Sequence, residues 1–104
     1  MSTFDERERA FETRFAHDEE LRFKAIARRN KLLGAWAAER LGHTGEAAES
    51  YAREVVRADF EEPGDEDVFR KIRRDFDGAS VAISDEDLRA KMRELLIVAA
   101  EQIN

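Results

Sequence analysis

From Leu21 to Leu41 the chain reads LRFKAIARRNKLLGAWAAERL. At about 100° per residue its apolar positions cover more than half of a helical wheel. Leu21, Ala25, Ile26, Leu32, Leu33, Trp36 and Ala37 fill one broad sector, widened by Phe23, Ala27, Gly34, Ala38 and Leu41. Lys24, Arg28, Lys31 and Ala35 are left as a solvent face. A helix apolar so far round packs on more than one side, so the pattern predicts the central member of a bundle. Gly34 fits that place. A mid-helix glycine costs about 1 kcal/mol relative to alanine, and this one shares a sector with Ala27 and Ala38, where a neighbouring helix can come close.

The rest of the chain alternates helical stretches with short breaks. Gly42 ends the central helix as a C′ residue and Thr44 is an N-cap for the next. That helix runs from Gly45 to about Phe60 and turns Ala48, Tyr51, Ala52, Val55, Val56 and Ala58 inward. EEPG at 61–64 is a turn. Asp65, Glu66 and Asp67 favour a helix start through its dipole, and the helix they open presents Val68, Phe69, Ile72 and Phe76 before stopping at Gly78. Residues 79–83, ASVAI, form a connector. Ser84 with Asp87 is a box-like start for a last helix carrying Leu88, Met92, Leu95, Leu96, Ala99 and Ile103. Four such segments with short connections predict an all-α fold, an antiparallel four-helix bundle over residues 21–104.

Residues 1–20 do not fit the bundle. Thr3 with Glu6 makes a capping box, and Phe4, Phe11 and Phe15 fall within about 40° on the wheel. Nearly everything between them is charged. Burying three phenylalanines yields roughly 1.5–3 kcal/mol each, while fixing about fifteen backbone units costs roughly 1–2 kcal/mol each. The phenylalanines alone do not hold this segment rigid. It is expected to be an N-terminal arm, partly helical or mobile, that either covers the bundle's end or completes its order on a partner.

Composition narrows the chemistry. The 104 residues suffice for one core. There is no cysteine, hence no disulfide framework and no thiolate metal site, which suits a reducing cytoplasm. With 24 acidic against 18 basic residues the net charge is −6, a surface that repels phosphate backbones, so no nucleic-acid partner is expected. The longest wholly apolar run, LLIVAA, is far shorter than the ~20 residues that span a bilayer. The two histidines, His17 and His43, are not ligand-spaced. No nucleophile sits beside a base and no phosphate-binding glycine loop exists, so no enzyme, metal or required cofactor is expected.

One polar feature stands out. Arg22, Arg29 and Arg40 project into the apolar sector of the central helix. Their stems can pack while their heads reach solvent or an acid such as Asp59 or Asp75. Alternatively they form an anion pocket with Arg28, Arg29, Asn30 and Lys31 at its mouth and Trp36 to stack on a base.

Three blocks, FAHDEELRFKA, ARRNKLLG and ADFEEPGDEDVFRK, are long and uncommon. Together with the sequence around them they make the whole chain closely resemble the alphaproteobacterial zeta subunit of F-type ATP synthase. The resemblance implies a regulatory subunit that inhibits ATP hydrolysis by the synthase's catalytic head, peripheral to the inner membrane on its cytoplasmic side. It also implies that the arm, here Ser2 to Glu19, is the inhibitory element, entering a catalytic alpha/beta interface next to gamma. Phe4, Phe11 and Phe15 would be its apolar anchors and Arg7, Arg9 and Arg14 their charged companions. Zeta-like proteins are described as binding adenine nucleotides, which points ADP or ATP, as a weak ligand, at Arg22, Arg28, Arg29, Asn30, Lys31 and Trp36. Two other classes stay open: a nucleotide-sensing helical module, and a structural adaptor without strong inhibition. A monomer is expected when the protein is free.

Overall fold

Asp18 ends the N-terminal segment and starts the central helix: its carboxylate accepts the Leu21 N–H at 3.0 Å. In the computed structural model, which describes residues 3–60 and 64–103, five helices follow one another: α1 (Thr3–Phe15), α2 (Glu19–Arg40), α3 (Gly45–Ala58), α4 (Glu66–Gly78) and α5 (Asp85–Gln102). The fold is all-α among the described residues. α2 lies against both α3 and α5, α4 closes against α3 and α5, and α1 rests on α5 and α2. The breadth of the apolar sector on α2 has this cause: it serves two helix neighbours along its length and a third near its start.

The turn from α2 into α3 is a Schellman motif. The His43 N–H reaches back to the Ala38 carbonyl at 2.9 Å and the Gly42 N–H to Glu39 at 3.1 Å, with Gly42 at φ +83° supplying the left-handed residue. α3 then runs back along α2. Gly34, seven positions before Leu41, meets Ala52, eight after Thr44. A Cβ built on Gly34 would lie 2.6 Å from the Ala52 Cα, closer than any side chain tolerates. The close approach anticipated from Gly34 is therefore made, and it is made to α3.

The same motif ends α4, with a different occupant. The Val81 N–H bonds the Phe76 carbonyl at 2.8 Å and the Ser80 N–H bonds Asp77 at 3.2 Å. The left-handed residue is Ser80, at φ +58°. Gly78, read as the stop, is still helical; the terminating position falls two residues later. Ser84 caps α5 as expected, accepting the Asp87 N–H at 3.0 Å. Thr44 sits at the N-cap of α3 but its side chain makes no capping bond. Thr3 is itself the first helical residue of α1, not a residue ahead of it. Ser2 and positions 61–63 of the expected EEPG turn lie outside the described residues.

Leu33, Val55, Val68, Ile72, Phe76 and Leu88 are wholly buried and form the centre of the main core, with Ala37, Ala38, Tyr51, Phe69 and Met92 around them. Trp36 packs on this core from the side, 5.7 Å from the Phe76 ring centroid. A second, smaller cluster of Phe15, Ala25 and Ala100 lies where α1 meets α2 and α5. Two inward expectations are corrected. Phe23, placed in the apolar sector, is 65% exposed. On α5 it is Ile97 and Ala100 that are buried, while Leu95 and Leu96 are only half-buried, because the last turns of α5 face α1 as well as α2.

Candidate functional site

Within the arm, α1 is a continuous helix of 13 residues. Phe15 is its anchor, 2% exposed and set against Ala25 and Ala100, whose small side chains leave room for the ring. Phe11 stacks on it with centroids 4.8 Å apart and remains half-buried, as does Phe4. Leu21, Leu96 and Ile103 complete the rim of this cluster.

Two arginines supply what the phenylalanines lack. Arg14 lies 5.1 Å from the Phe15 ring centroid and donates to the carbonyls of Ala100, at 3.3 Å, and Ile103, at 3.2 Å. A cation there complements the negative end of the α5 dipole. About two α1 turns earlier, Arg7 makes a fork on Glu101, Nε to Oε2 at 2.8 Å and Nη2 to Oε1 at 2.6 Å. The hydrogen bond from Arg7 holds the Glu101 carboxyl below its ordinary value, burial opposing slightly. Arg9 is exposed. Arg7, Arg14 and Phe15, expected to face a partner, are thus all engaged with the body of this same chain.

A second polar centre lies between α2, the start of α4 and α5. Arg29 is 1% exposed, yet fully bonded: Nη2 to Asp65 Oδ1 at 2.7 Å, Nη1 to Asp65 Oδ2 at 3.4 Å and Nε to Asn30 Oδ1 at 2.8 Å. Asp65 occupies the N-cap position of α4 without making a side-chain cap bond, because its carboxylate is committed to Arg29. The neighbouring Asp59 carboxyl is pushed up by burial, against the opposing pull of Asn30 and of the Arg29 charge. Arg29, Asp65, Arg89, Met92, Arg93 and Leu96 line a cavity of about 200 Å³. Arg89 is held by Glu66, at 2.8 and 3.2 Å, and lies 3.8 Å over the Phe69 ring.

The six residues singled out for a nucleotide are spread over several faces. Arg29 and Asn30 are buried in the Asp65 and Asp59 cluster. Arg28 donates to Gln102 Oε1 at 2.8 Å. Arg22 borders a shallow cavity beside Phe11 and Phe15. Lys31 lines a groove on the α3 side. Trp36 is flanked by Arg40 and Lys91, at 5.4 and 5.7 Å from its ring. A helical wheel shows that arginines enter an apolar sector but not which neighbour takes each one. Arg89 and Arg93, four apart on α5 and beside Arg29, were not singled out. Their i,i+4 spacing in DLRAKMRELL was the available signal.

Among the described residues no group of three or more His, Cys, Asp or Glu side chains could hold a metal ion, and no helix is long and apolar enough to cross a membrane. The family described as ATPase inhibitor subunit zeta matches residues 1–102. A solved structure, a solution NMR structure, shares 52% sequence identity with this chain; the match covers 79% of this chain and 93% of that one, with a TM-score of 0.70. No curated protein matches this chain.

Proposed function

This chain belongs to the ATPase inhibitor subunit zeta family, and from that premise we propose that it blocks ATP hydrolysis by an F-type ATP synthase by transferring α1 from its own α5 to the enzyme. In this reading the chain has two parts: an inhibitory arm over residues 1–20, and an antiparallel four-helix bundle, α2 to α5, that carries it on the cytoplasmic side of the inner membrane. The protein is regulatory and performs no catalysis. The arm enters a catalytic alpha/beta interface beside gamma, with Phe4, Phe11 and Phe15 as anchors. Wedged there as a helix, it hinders closure of the catalytic site and rotation of gamma in the hydrolytic direction, while rotation in the other direction ejects it.

The observation that carries the reading is how α1 is held. A fully buried Phe15 with the half-buried Phe11 beside it, the Arg7–Glu101 ion pair at the surface and two long hydrogen bonds from Arg14 fasten a helix most of whose remaining side chains are charged or exposed. Exposed ion pairs contribute little to stability. A helix attached so lightly can leave, and the groups that hold it are those an enzyme cleft would use. Deleting residues 2–17, which leaves the Asp18 cap in place, should abolish inhibition of the isolated head's hydrolysis while the remaining helices melt as before. Undiminished inhibition by the shortened protein would rule the reading out.

A second reading has one observation in its favour: the cavity at Arg29 brings Arg89 and Arg93 together with it, and Arg93 makes no ion pair among the described residues. An adenine nucleotide could place its phosphates there as a weak ligand and sense, through α5, whether α1 is docked. Titration with ADP or ATP, followed by amide chemical shifts, should move Arg89 and Arg93 first. No movement at millimolar nucleotide would dismiss it.

A further inference from the structure

Among the described residues two large hydrophobic side chains are exposed, Phe23 at 65% and Phe60 at 74%. They are not scattered. Phe23 is eleven residues before Gly34, on nearly the same line of α2 and roughly 16 Å from it; Phe60 lies just past the end of α3, eight residues beyond Ala52. Since Gly34 and Ala52 touch, both rings stand near one end of the α2–α3 pair. Between the two helices runs a groove of about 580 Å³ with Ala52, Val56 and Phe60 as its apolar floor and wall.

Its rim carries more positive than negative charge. Lys31, Arg53 and Arg57 line the groove together with the single acid Glu49, and none of the three cations makes an ion pair among the described residues. Several other cations of this acidic chain sit in ion pairs: Lys71 with Glu54 and Asp75, Arg73 with Asp77 and Asp85, Lys91 with Glu94. Three cations against one acid around an apolar groove, on a protein of net charge −6, is a local departure from the overall field. It attracts an acidic partner and disfavours a second copy of this chain, whose overall charge is the same sign as the partner sought but whose matching groove is basic.

We propose that this groove is the docking surface for an acidic amphipathic helix on the partner ATPase. The proposal rests on the regulatory reading above and adds to it where the body, as distinct from the arm, is held. A groove between two helices receives the apolar ridge of a third, with anchors three and four residues apart. Acidic residues flanking that ridge meet Lys31, Arg53 and Arg57. The surface is separate from the one under α1, which lies against α5 and the first turns of α2. Body and arm can therefore engage together, and docking of the body raises the effective concentration of the arm at its cleft.

The test uses the full chain carrying Phe60→Ser or the double change Arg53→Glu/Arg57→Glu, all exposed positions, so melting should be unchanged. Direct binding to the isolated ATPase head and inhibition of its hydrolysis are both measured. Expected is at least tenfold weaker binding for each variant and a matching rise in the half-inhibitory concentration, with the same maximal inhibition at saturation. Binding by the charge-reversed form should also lose most of its salt dependence. Equal binding by wild type and variants overturns the proposal. So does a wild-type dimer that the variants convert to monomer, since the groove then receives a second copy. A wild type that binds through the groove without inhibiting hydrolysis supports this surface and instead defeats the inhibitory reading of the arm.

Discussion

Arg7 and Glu101, ninety-four positions apart, are joined by two hydrogen bonds of 2.8 and 2.6 Å. They tie the first turns of α1 to the last turn of α5 at the protein surface, where both side chains are partly exposed. Because Arg7 remains charged, the pair's contribution follows Glu101, whose carboxyl is held below its ordinary value of 4.5 by the Arg7 hydrogen bond. A lowered value in the docked state means the stabilisation is complete above about pH 4.5 and is lost as pH falls further. Hydrogen-exchange protection of α1 should therefore drop below that pH, ahead of the amides of α2. In Glu101→Gln the protection should already be modestly lower at pH 7 and change little on acidification.

Phe15 separates local from global stability. Removing a fully buried phenylalanine side chain costs roughly 3–5 kcal/mol in a core. Here the loss falls on a peripheral helix, so Phe15→Ala should undock α1 and leave the main core intact. Circular dichroism should show the loss of about one helix with little change in the melting midpoint. Ile72→Ala, in the main core and wholly buried, should instead lower the stability of the whole body by roughly 2–5 kcal/mol.

That contrast also marks how far the sequence could be read. The four body helices are legible because each repeats apolar residues at helical spacing between recognisable starts and stops, as in VFRKIRRDF or the Ser84 and Asp87 pair. Whether the arm is docked was not legible. Its hold depends on Glu101, on two α5 carbonyls and on the room left by Ala25 and Ala100, none of which any local pattern near Phe15 contains. Asp18 was hidden in a run of acids, where a capping carboxylate looks like any other. The pattern offers Asp59 or Asp75 as acids for the heads of Arg22, Arg29 and Arg40; Asp65 holds Arg29 with Asp59 close enough to feel its charge, while Asp75 is committed to Tyr51 and Lys71.

Ser80 and Gly78 are exchanged relative to what α4 requires. A serine at φ +58° occupies a region that only residues without a Cβ enter freely. Gly78 is helical, and a Cβ there would meet nothing within 4 Å. Ser80→Gly should stabilise the protein by about 0.5–1 kcal/mol, and Gly78→Ala by up to ~1 kcal/mol through helix propensity. Urea denaturation of the single and double variants should show the two gains adding.

Gly34 gives the opposite sign for the same substitution. Its Cβ would lie 2.6 Å from backbone of Ala52, which cannot rotate aside. Gly34→Ala therefore separates α2 from α3 instead of gaining helix propensity. A loss of about 1–3 kcal/mol is expected in urea denaturation. A gain in stability would mean that the two helices are not in contact at this point.

Asp65 is half-exposed, and a carboxylate in that position ordinarily matters little. Here it faces an arginine that is 1% exposed. Removing the acid leaves a buried guanidinium with only Asn30 Oδ1 and the nearby Asp59 to offset it, whereas removing the arginine leaves a carboxylate that water already reaches. The costs are therefore unequal, and the half-exposed partner is the more sensitive. Asp65→Ala should lower the unfolding free energy by roughly 3–5 kcal/mol, as breaking a buried pair does. Arg29→Met, which fills similar volume without a charge, should cost clearly less. Asp65→Asn, retaining an acceptor oxygen, should fall between them. Urea unfolding of the three variants tests the order, and an Arg29→Met protein less stable than Asp65→Ala would show that the guanidinium contributes by packing, not through its ion pair.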